Sequence, residues 1–453
     1  MLTNAPESGG ILGDLSRGGY DAPASVVHDP VEWLRSGSET VQRLADLKWA
    51  VSFQRLEFVA ERDSELFAAI PAGAAVFLLR GADEVGEPYI SKTSNLRRRL
   101  QRLLGPSEGQ SRKLNLRHRV GWIEWLATGS DFEASFLLHG ILRREFPKTY
   151  DRRLRLRFAP LVKLILDNPY PRATVTTRIG GLKGNAQYFG PFATRVAADK
   201  FANDSLDFFK MRRCVDDLHP DPQFPGCIYS EMKMCLAPCF KGCTDEEYAT
   251  EVKRVQQYFA SSGQSLVGEI QRMRDDASAS LDFESAAHLH ARLQKVKAVT
   301  SQLPEIVRRL EDLNGLIIQP SAKPEAVELF KVVAGHICEP VALSVGAKAE
   351  AAHMQARPQS MESRIIEALA AVKPPKLRGA LEWMEHLALL KRWYYRTVKV
   401  GELFLSATNG ELPMRRVVRG VSRVFRGEKP AGDLSETAGD YWRYRAGEAG
   451  IKP

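Results

Sequence analysis

The chain carries 453 residues, 44% of them hydrophobic, with 64 Lys and Arg against 55 Asp and Glu and a net charge of +9. That is ample apolar material for two to four domains, yet no apolar run approaches the ~20 residues that cross a bilayer, and none follows Met1 as an export signal would. A membrane protein and a secreted disulfide scaffold are not expected; a soluble cytoplasmic protein is.

Residues 1–30 are rich in Gly, Ser, Pro and Asp and lack apolar periodicity, which predicts a disordered tail. From Val31 to about Leu66 the apolar residues, among them Leu44, Leu47, Val51 and Phe58, recur at helical intervals and predict N-terminal helices over 31–71. Ala74–Leu79 and Pro88–Ser91 flank a turn-like stretch and read as a hairpin. A helix follows, with Leu96, Leu100, Leu103 and Leu104 on one face and Arg97, Arg98, Arg99 and Arg102 around it. A strand at Val120–Leu126 and an amphipathic helix after Ser130 complete a small α/β unit over 72–157. From Lys92 to Arg157 there are 16 basic residues against 6 acidic, an excess that suits a polyphosphate partner.

Four of the six cysteines, Cys214, Cys227, Cys235 and Cys239, fall within twenty-six residues of a Pro- and Gly-rich segment, 158–245. Their spacing lacks paired C-x2-C knuckles but suits a tetrahedral sulfur site, and a bound centre would replace a missing apolar core. Paired disulfides or buried thiols are the alternative. Cys243, a fifth thiol, repeats the x3 spacing. Residues 246–305 read as helices broken at Leu281-Asp282-Phe283, the last pair an antiparallel hairpin. Short strands at Leu316–Ile318, Val327–Val333 and Val341–Val345 and two helices within Met361–Lys391 predict an α+β C-terminal domain, 306–453. Trp393-Tyr394-Tyr395-Arg396 reads as an aromatic helix end packed on a sheet, with stacking on nucleobases as the alternative. The expected fold class is thus α+β and multidomain.

In that order these segments resemble the N-terminal half of the UvrC excinucleases, especially their short Cho-type relatives. The hairpin and helix, with Ala75-Val76-Phe77, Tyr89-Ile90-Ser91, Lys92, Leu96, Arg99 and Glu133-Ala134, are similar to a GIY-YIG nuclease unit. Tyr188-Phe189-Gly190-Pro191-Phe192 is similar to a string that follows that unit. The cysteine spacing resembles one associated with a 4Fe-4S cluster, with zinc as the alternative, and Leu281-Asp282-Phe283-Glu284-x-Ala286-Ala287 resembles the UVR hairpin that engages UvrB.

The resemblance implies Tyr89 as general base, Glu133 as the protein ligand of Mg or Mn, and Lys92 and Arg99 as the phosphate clamp. It also implies Arg97, Arg98 and Arg102 on DNA, and Phe283, Glu284, Ala286 and Ala287 on UvrB. Ser130-x-x-Glu133 equally fits a helix-opening capping box. Three positions depart from the family: Phe77 stands for a tyrosine, Ser91 for a glycine and Tyr150 for an asparagine. No acidic metal centre of a second nuclease appears after Leu316. The expectation is a DNA-repair endonuclease of nucleotide excision repair that makes a single incision on the 3' side of a lesion in double-stranded damaged DNA. The alternatives are an adaptor that keeps the UvrB and DNA contacts without catalysis, and an iron-sulfur redox sensor.

Overall fold

A computed structural model describes residues 53–83, 86–106, 114–180, 185–215, 218–345, 359–373, 379–407 and 409–428. The expected tail and the predicted helices before residue 53 lie outside them. Where helical spacing predicts a helix through Phe58, the chain instead forms a strand, β1 (Gln54–Glu57). Phe58 then buries its ring beside Phe67 of the short helix α1 (Asp63–Ala69). Pairing at a sheet edge has overridden a period read from a few residues.

β1 joins β2 (Ala75–Arg80), β3 (Tyr89–Thr93) and β4 (Trp122–Ala127) in the order β1-β4-β2-β3. β2 and β3 form the expected antiparallel hairpin, Leu79 opposite Tyr89 and Phe77 opposite Ser91. Central β2 is buried on both faces, so it reads as an unbroken apolar run. Helix α2 (Leu96–Leu104) starts where the Asn95 side chain accepts from the Arg98 N–H, and it buries all four of its leucines. Helix α3 (Asp131–Glu145) opens at Ser130, whose side chain accepts from the Glu133 N–H, and α4 (Tyr150–Leu154) follows.

A second sheet takes β5 (Leu161–Ile165), β6 (Arg172–Thr176), β7 (Ala186–Gly190) and a far later strand, β8 (Arg308–Arg309), in the order β6-β5-β7-β8. Helix α5 (Arg195–Leu206) leads into the stretch from Cys214 to Cys243, whose described residues contain only the short α6 (Ile228–Glu231) and a single 3-10 turn. Three helices, α7 (Asp245–Ala260), α8 (Gln264–Ala279) and α9 (Phe283–Ser301), come before β8. The third sheet has β9 (Gly315–Pro320) and β10 (Ala326–Val333) at its centre. β11 (His336–Ile337) and β12 (Val341–Ser344) pair with β10, and β13 (Glu402–Leu405) pairs with β9. Helices α10 (Met361–Ala370), α11 (Ala380–Tyr394) and α12 (Met414–Arg426) accompany it. The chain is mixed α+β, as expected. No helix among the described residues is long and apolar enough to cross a membrane.

Helix α3 is shared between two neighbours. With about 100° per residue, positions 131, 135, 138 and 142 form one stripe and 132, 136, 139 and 143 the next. The first stripe faces β3: Asp131 and Ser135 both bond the Lys92 ammonium, and Leu138 and Leu142 pack with Ile90. The second faces the C-terminal domain. Phe132 meets Phe330 of β10 edge-on and Trp393 of α11 at 5.2 Å, His139 bonds Glu385, and Arg143 pairs with Glu382. Trp393 is therefore buried as expected, but against this helix as well as within the core beside the sheet. Gly129, just before α3, lies so close to Pro320 and Ser321 that a Cβ would collide with their backbone.

Phe330 is fully buried between Phe132 and Phe136. Replacing it with Ala should cost about 3–5 kcal/mol, read from the urea midpoint at unchanged m-value. A midpoint equal to that of the parent protein would remove this ring from the seam between α3 and the third sheet.

Candidate functional site

Of the residues expected in one catalytic site, the structure brings together two groups and separates a third. The Arg99 guanidinium donates to the Tyr89 phenol oxygen at 2.9 Å, joining α2 to β3. Three residues along the strand, Lys92 bonds Asp131 and the Ser135 hydroxyl. Burial lowers the Lys92 pKa, and the nearby Arg392 and Arg396 add to that effect while Asp131 opposes it. Burial pushes the Asp131 carboxyl up, but the Lys92 bond and charge, with Arg396 and Arg392, outweigh it and hold it below the usual range.

Glu133 stands elsewhere. About 200° around α3 from Asp131, it points away from the β3-facing stripe. Its carboxylate accepts the Gly129 N–H at 2.7 Å, while its own N–H is held by Ser130. Burial raises its pKa to about 7, and the charge of Glu328 adds to this against the Gly129 bond and Lys323. This arrangement realises the helix-opening alternative, with the side chain reaching Gly129 rather than the Ser130 amide. The expected convergence of Glu133 with Tyr89 and Arg99 is thus not found, and on the β3-facing stripe the next position after Ser135 is the apolar Leu138. A hard cation at the Tyr89–Arg99 pair would have to draw the Glu133 carboxylate out of its buried position on the Gly129 N–H.

The other expected contacts divide. Arg97, half-buried, donates its guanidinium to the carbonyls of Ile70 and Ala68 at the end of α1. Arg98 and Arg102 are exposed. Phe77 is fully buried beneath Tyr89, 6.1 Å between ring centres, and Tyr150 is buried against His139. Sequence reasoning missed Asp131 and Ser135, for which their helical spacing from the Ser130 cap is the available signal.

In the cysteine segment, Cys235 feels the charges of Cys214, Cys239 and Cys227, so the four thiols are neighbours. Burial raises the Cys235 pKa to about 11, and that of Cys239 upward. The Ala237 N–H donates to the Cys235 Sγ at 3.3 Å. Arg212, almost wholly buried, places its Nη1 3.2 Å from the Cys214 Sγ and its Nε on the Tyr170 carbonyl. Burial and the acidic Glu247 and Asp245 raise Cys243, an environment unlike that of Cys214. Among the described residues no three His, Cys, Asp or Glu lie close enough to hold one metal ion. Cys214, Cys227 and Cys239 all act electrostatically on Cys235, and the Ala237 N–H and the buried Arg212 guanidinium donate to two of these sulfurs, donors that suit an anionic group.

At the tip of the helical hairpin Leu281 takes a left-handed turn, and Asp282 caps α9 by accepting the Ser285 N–H. Leu281 and Phe283 are 72% and 67% exposed, too much for core residues of this hairpin. Glu284 and Ala287 are exposed and Ala286 half-buried.

Residues 160–258 match the family described as UvrC/Cho excinuclease, middle domain. Among similar proteins, UvrABC system protein C of Ruminiclostridium cellulolyticum is 24% identical over 271 residues, 59% of this chain and 44% of that one. Its counterpart in Haemophilus ducreyi is 29% identical over 228 residues, 50% and 36%. That of Methanothermobacter thermautotrophicus is 26% identical over 232 residues, 51% and 38%. The chain is UvrC-like. No solved structure matches it. The UvrC-like chain spans less than half the length of these relatives, and the family match runs from the start of the second sheet into α7, taking in the four cysteines.

The raised Glu133 pKa has a sign. Between the ordinary 4.5 and about 7 the folded chain holds a proton that the unfolded chain has lost, so this group's contribution is complete at low pH and disappears as pH rises through 7. Glu133→Gln should therefore gain on the parent between pH 5 and pH 8 in urea melts. An equal difference at both values would show that the carboxyl titrates normally.

Proposed function

We propose that this UvrC-like chain serves nucleotide excision repair as a DNA endonuclease. In this reading it binds damaged duplex DNA with its basic α/β unit, is positioned by UvrB through the hairpin of α8 and α9, and cuts one strand on the 3' side of the lesion. The observation that carries it is the 2.9 Å bond from Arg99 to Tyr89, with Lys92 three residues further along β3. A guanidinium fixed on a phenol supplies positive charge where a phosphoryl group accumulates negative charge, and a positioned hydroxyl beside it. Lys92, an odd number of positions along the strand, serves the other face of the sheet. Arg98 and Arg102 extend the cation track on the exposed face of α2.

Residues Cys214, Cys227, Cys235 and Cys239 hold a 4Fe-4S cluster in this reading. Arg212 offsets its charge, and the cluster braces a segment with little regular structure of its own. Zinc is less well served by this spacing of donors. The exposed Phe283 and Leu281 supply the apolar contact to UvrB, with Glu284, Ala286 and Ala287 alongside.

A second reading, an adaptor that binds UvrB and DNA without cutting, draws support from Glu133, whose carboxylate closes a helix instead of meeting Tyr89. Cleavage of a lesion-bearing duplex with UvrB and Mg or Mn separates the two. For an endonuclease, Tyr89→Phe lowers the rate by roughly 10²–10⁴-fold, while Glu133→Gln cuts like the parent. A parent protein that binds but does not cut establishes the adaptor.

Because Phe283 is exposed, Phe283→Ala should leave the melting curve in place and weaken UvrB binding by tenfold or more, measured by pull-down or calorimetry. Unchanged binding would remove the hairpin tip from the partner surface.

A further inference from the structure

We propose that the C-terminal domain is itself part of the DNA-binding site: Arg392 and Arg396 extend the phosphate-binding surface around Lys92, so that one duplex backbone is held by two domains. This rests on the DNA reading above and assigns the C-terminal domain a role in holding phosphate. Arg396 Nη1 lies 2.8 Å from Asp131 Oδ2, and the other oxygen of that carboxylate holds the Lys92 ammonium. Arg392, one turn earlier, also acts on Lys92 electrostatically. Three cations thus gather about one carboxylate, leaving an excess of two positive charges. Lys92 is mostly covered, but Arg396 and Asp131 each keep 44% of their side chains exposed, so the surface is open to a polyanion.

The placement is built rather than incidental. Arg392 sits in the last turn of α11 and Arg396 two residues past its end, and α11 is fixed on α3 by the His139–Glu385 bond at 2.9 Å, both side chains 3% exposed, and by the Arg143–Glu382 pair. In the last turn the Trp393 indole N–H donates to the Val400 carbonyl, and just beyond the helix end the Tyr395 hydroxyl donates to that of Pro191. With the backbone tied on both sides of Arg396, the guanidinium has little freedom to leave Lys92. A single carboxylate shared by Lys92 and Arg396 is a counter-ion that a DNA phosphate can replace, since each phosphate contact also releases condensed cations from the duplex.

The test is duplex binding by fluorescence anisotropy as a function of salt, on the full chain. The Arg392→Gln, Arg396→Gln double variant should bind at least tenfold more weakly at low salt, and the slope of log K against log salt should fall by about 1–2. Lys92→Gln should weaken binding as well. Asp131→Asn, which removes the competing carboxylate, should tighten it, a direction that misfolding does not produce. If Lys92→Gln weakens binding while the double variant keeps the parent slope, the C-terminal contribution is overturned and the DNA reading stands. If both bind like the parent, both fall, and an Asp131→Asn protein no tighter than the parent also overturns the proposal.

Discussion

Helix α3 has to satisfy two neighbours at once, and the placement of Lys92, Asp131, Glu133, Arg392 and Arg396 follows from that. One stripe must complete the first sheet through Ile90 and Lys92; the next must bury Phe132, Phe136 and His139 against the C-terminal domain. Because successive stripes are about 100° apart, a residue committed to one cannot serve the other. Glu133 belongs to neither, which is why its carboxylate turns back on the loop at Gly129. The aromatic and ionic contacts of the second stripe are also what carry Arg392 and Arg396 to Lys92, so one helix sets both the content of the site and its reach.

The first α/β unit was readable because its signals are local. An apolar run buried on both faces, a hairpin and a leucine stripe each lie within a dozen residues, and all appear close to their expected limits. The break at Leu281 and the strands of the third sheet were legible for the same reason. What was not legible depended on distant partners. β1 exists because β4 offers it an edge, and Arg97 donates to carbonyls of α1 that no spacing rule connects to it. The direction of Glu133 is the sharpest case: its sequence context fits a helix opening and a cation ligand equally, and only the position of Glu328 and the β3-facing stripe distinguishes them.

The cysteine segment shows a different dependence. It has little helix or strand, and burial raises its thiols Cys235 and Cys239. Arg212 supplies the opposite charge, a fully buried guanidinium directed at Cys214. Burying that cation is costly without hydrogen-bond partners, and the Tyr170 carbonyl and the Cys214 sulfur are two that it finds. The dipeptide Arg212-Arg213 directly before Cys214 was visible in the sequence, but nothing there tells which of the two turns inward; Arg213 instead pairs with Asp207 at the surface.

The pairing of β8 with β7 sets the mechanics of the helical hairpin. Arg308 and Arg309 return to lie beside Gly190 and Phe189, so the chain leaves the second sheet before the cysteines and rejoins it after α9. The hairpin is therefore a lever clamped at both ends to one sheet, not a flag on a tether. A load on Phe283 is carried back along α9 to β8 and so to the strand that holds Phe189.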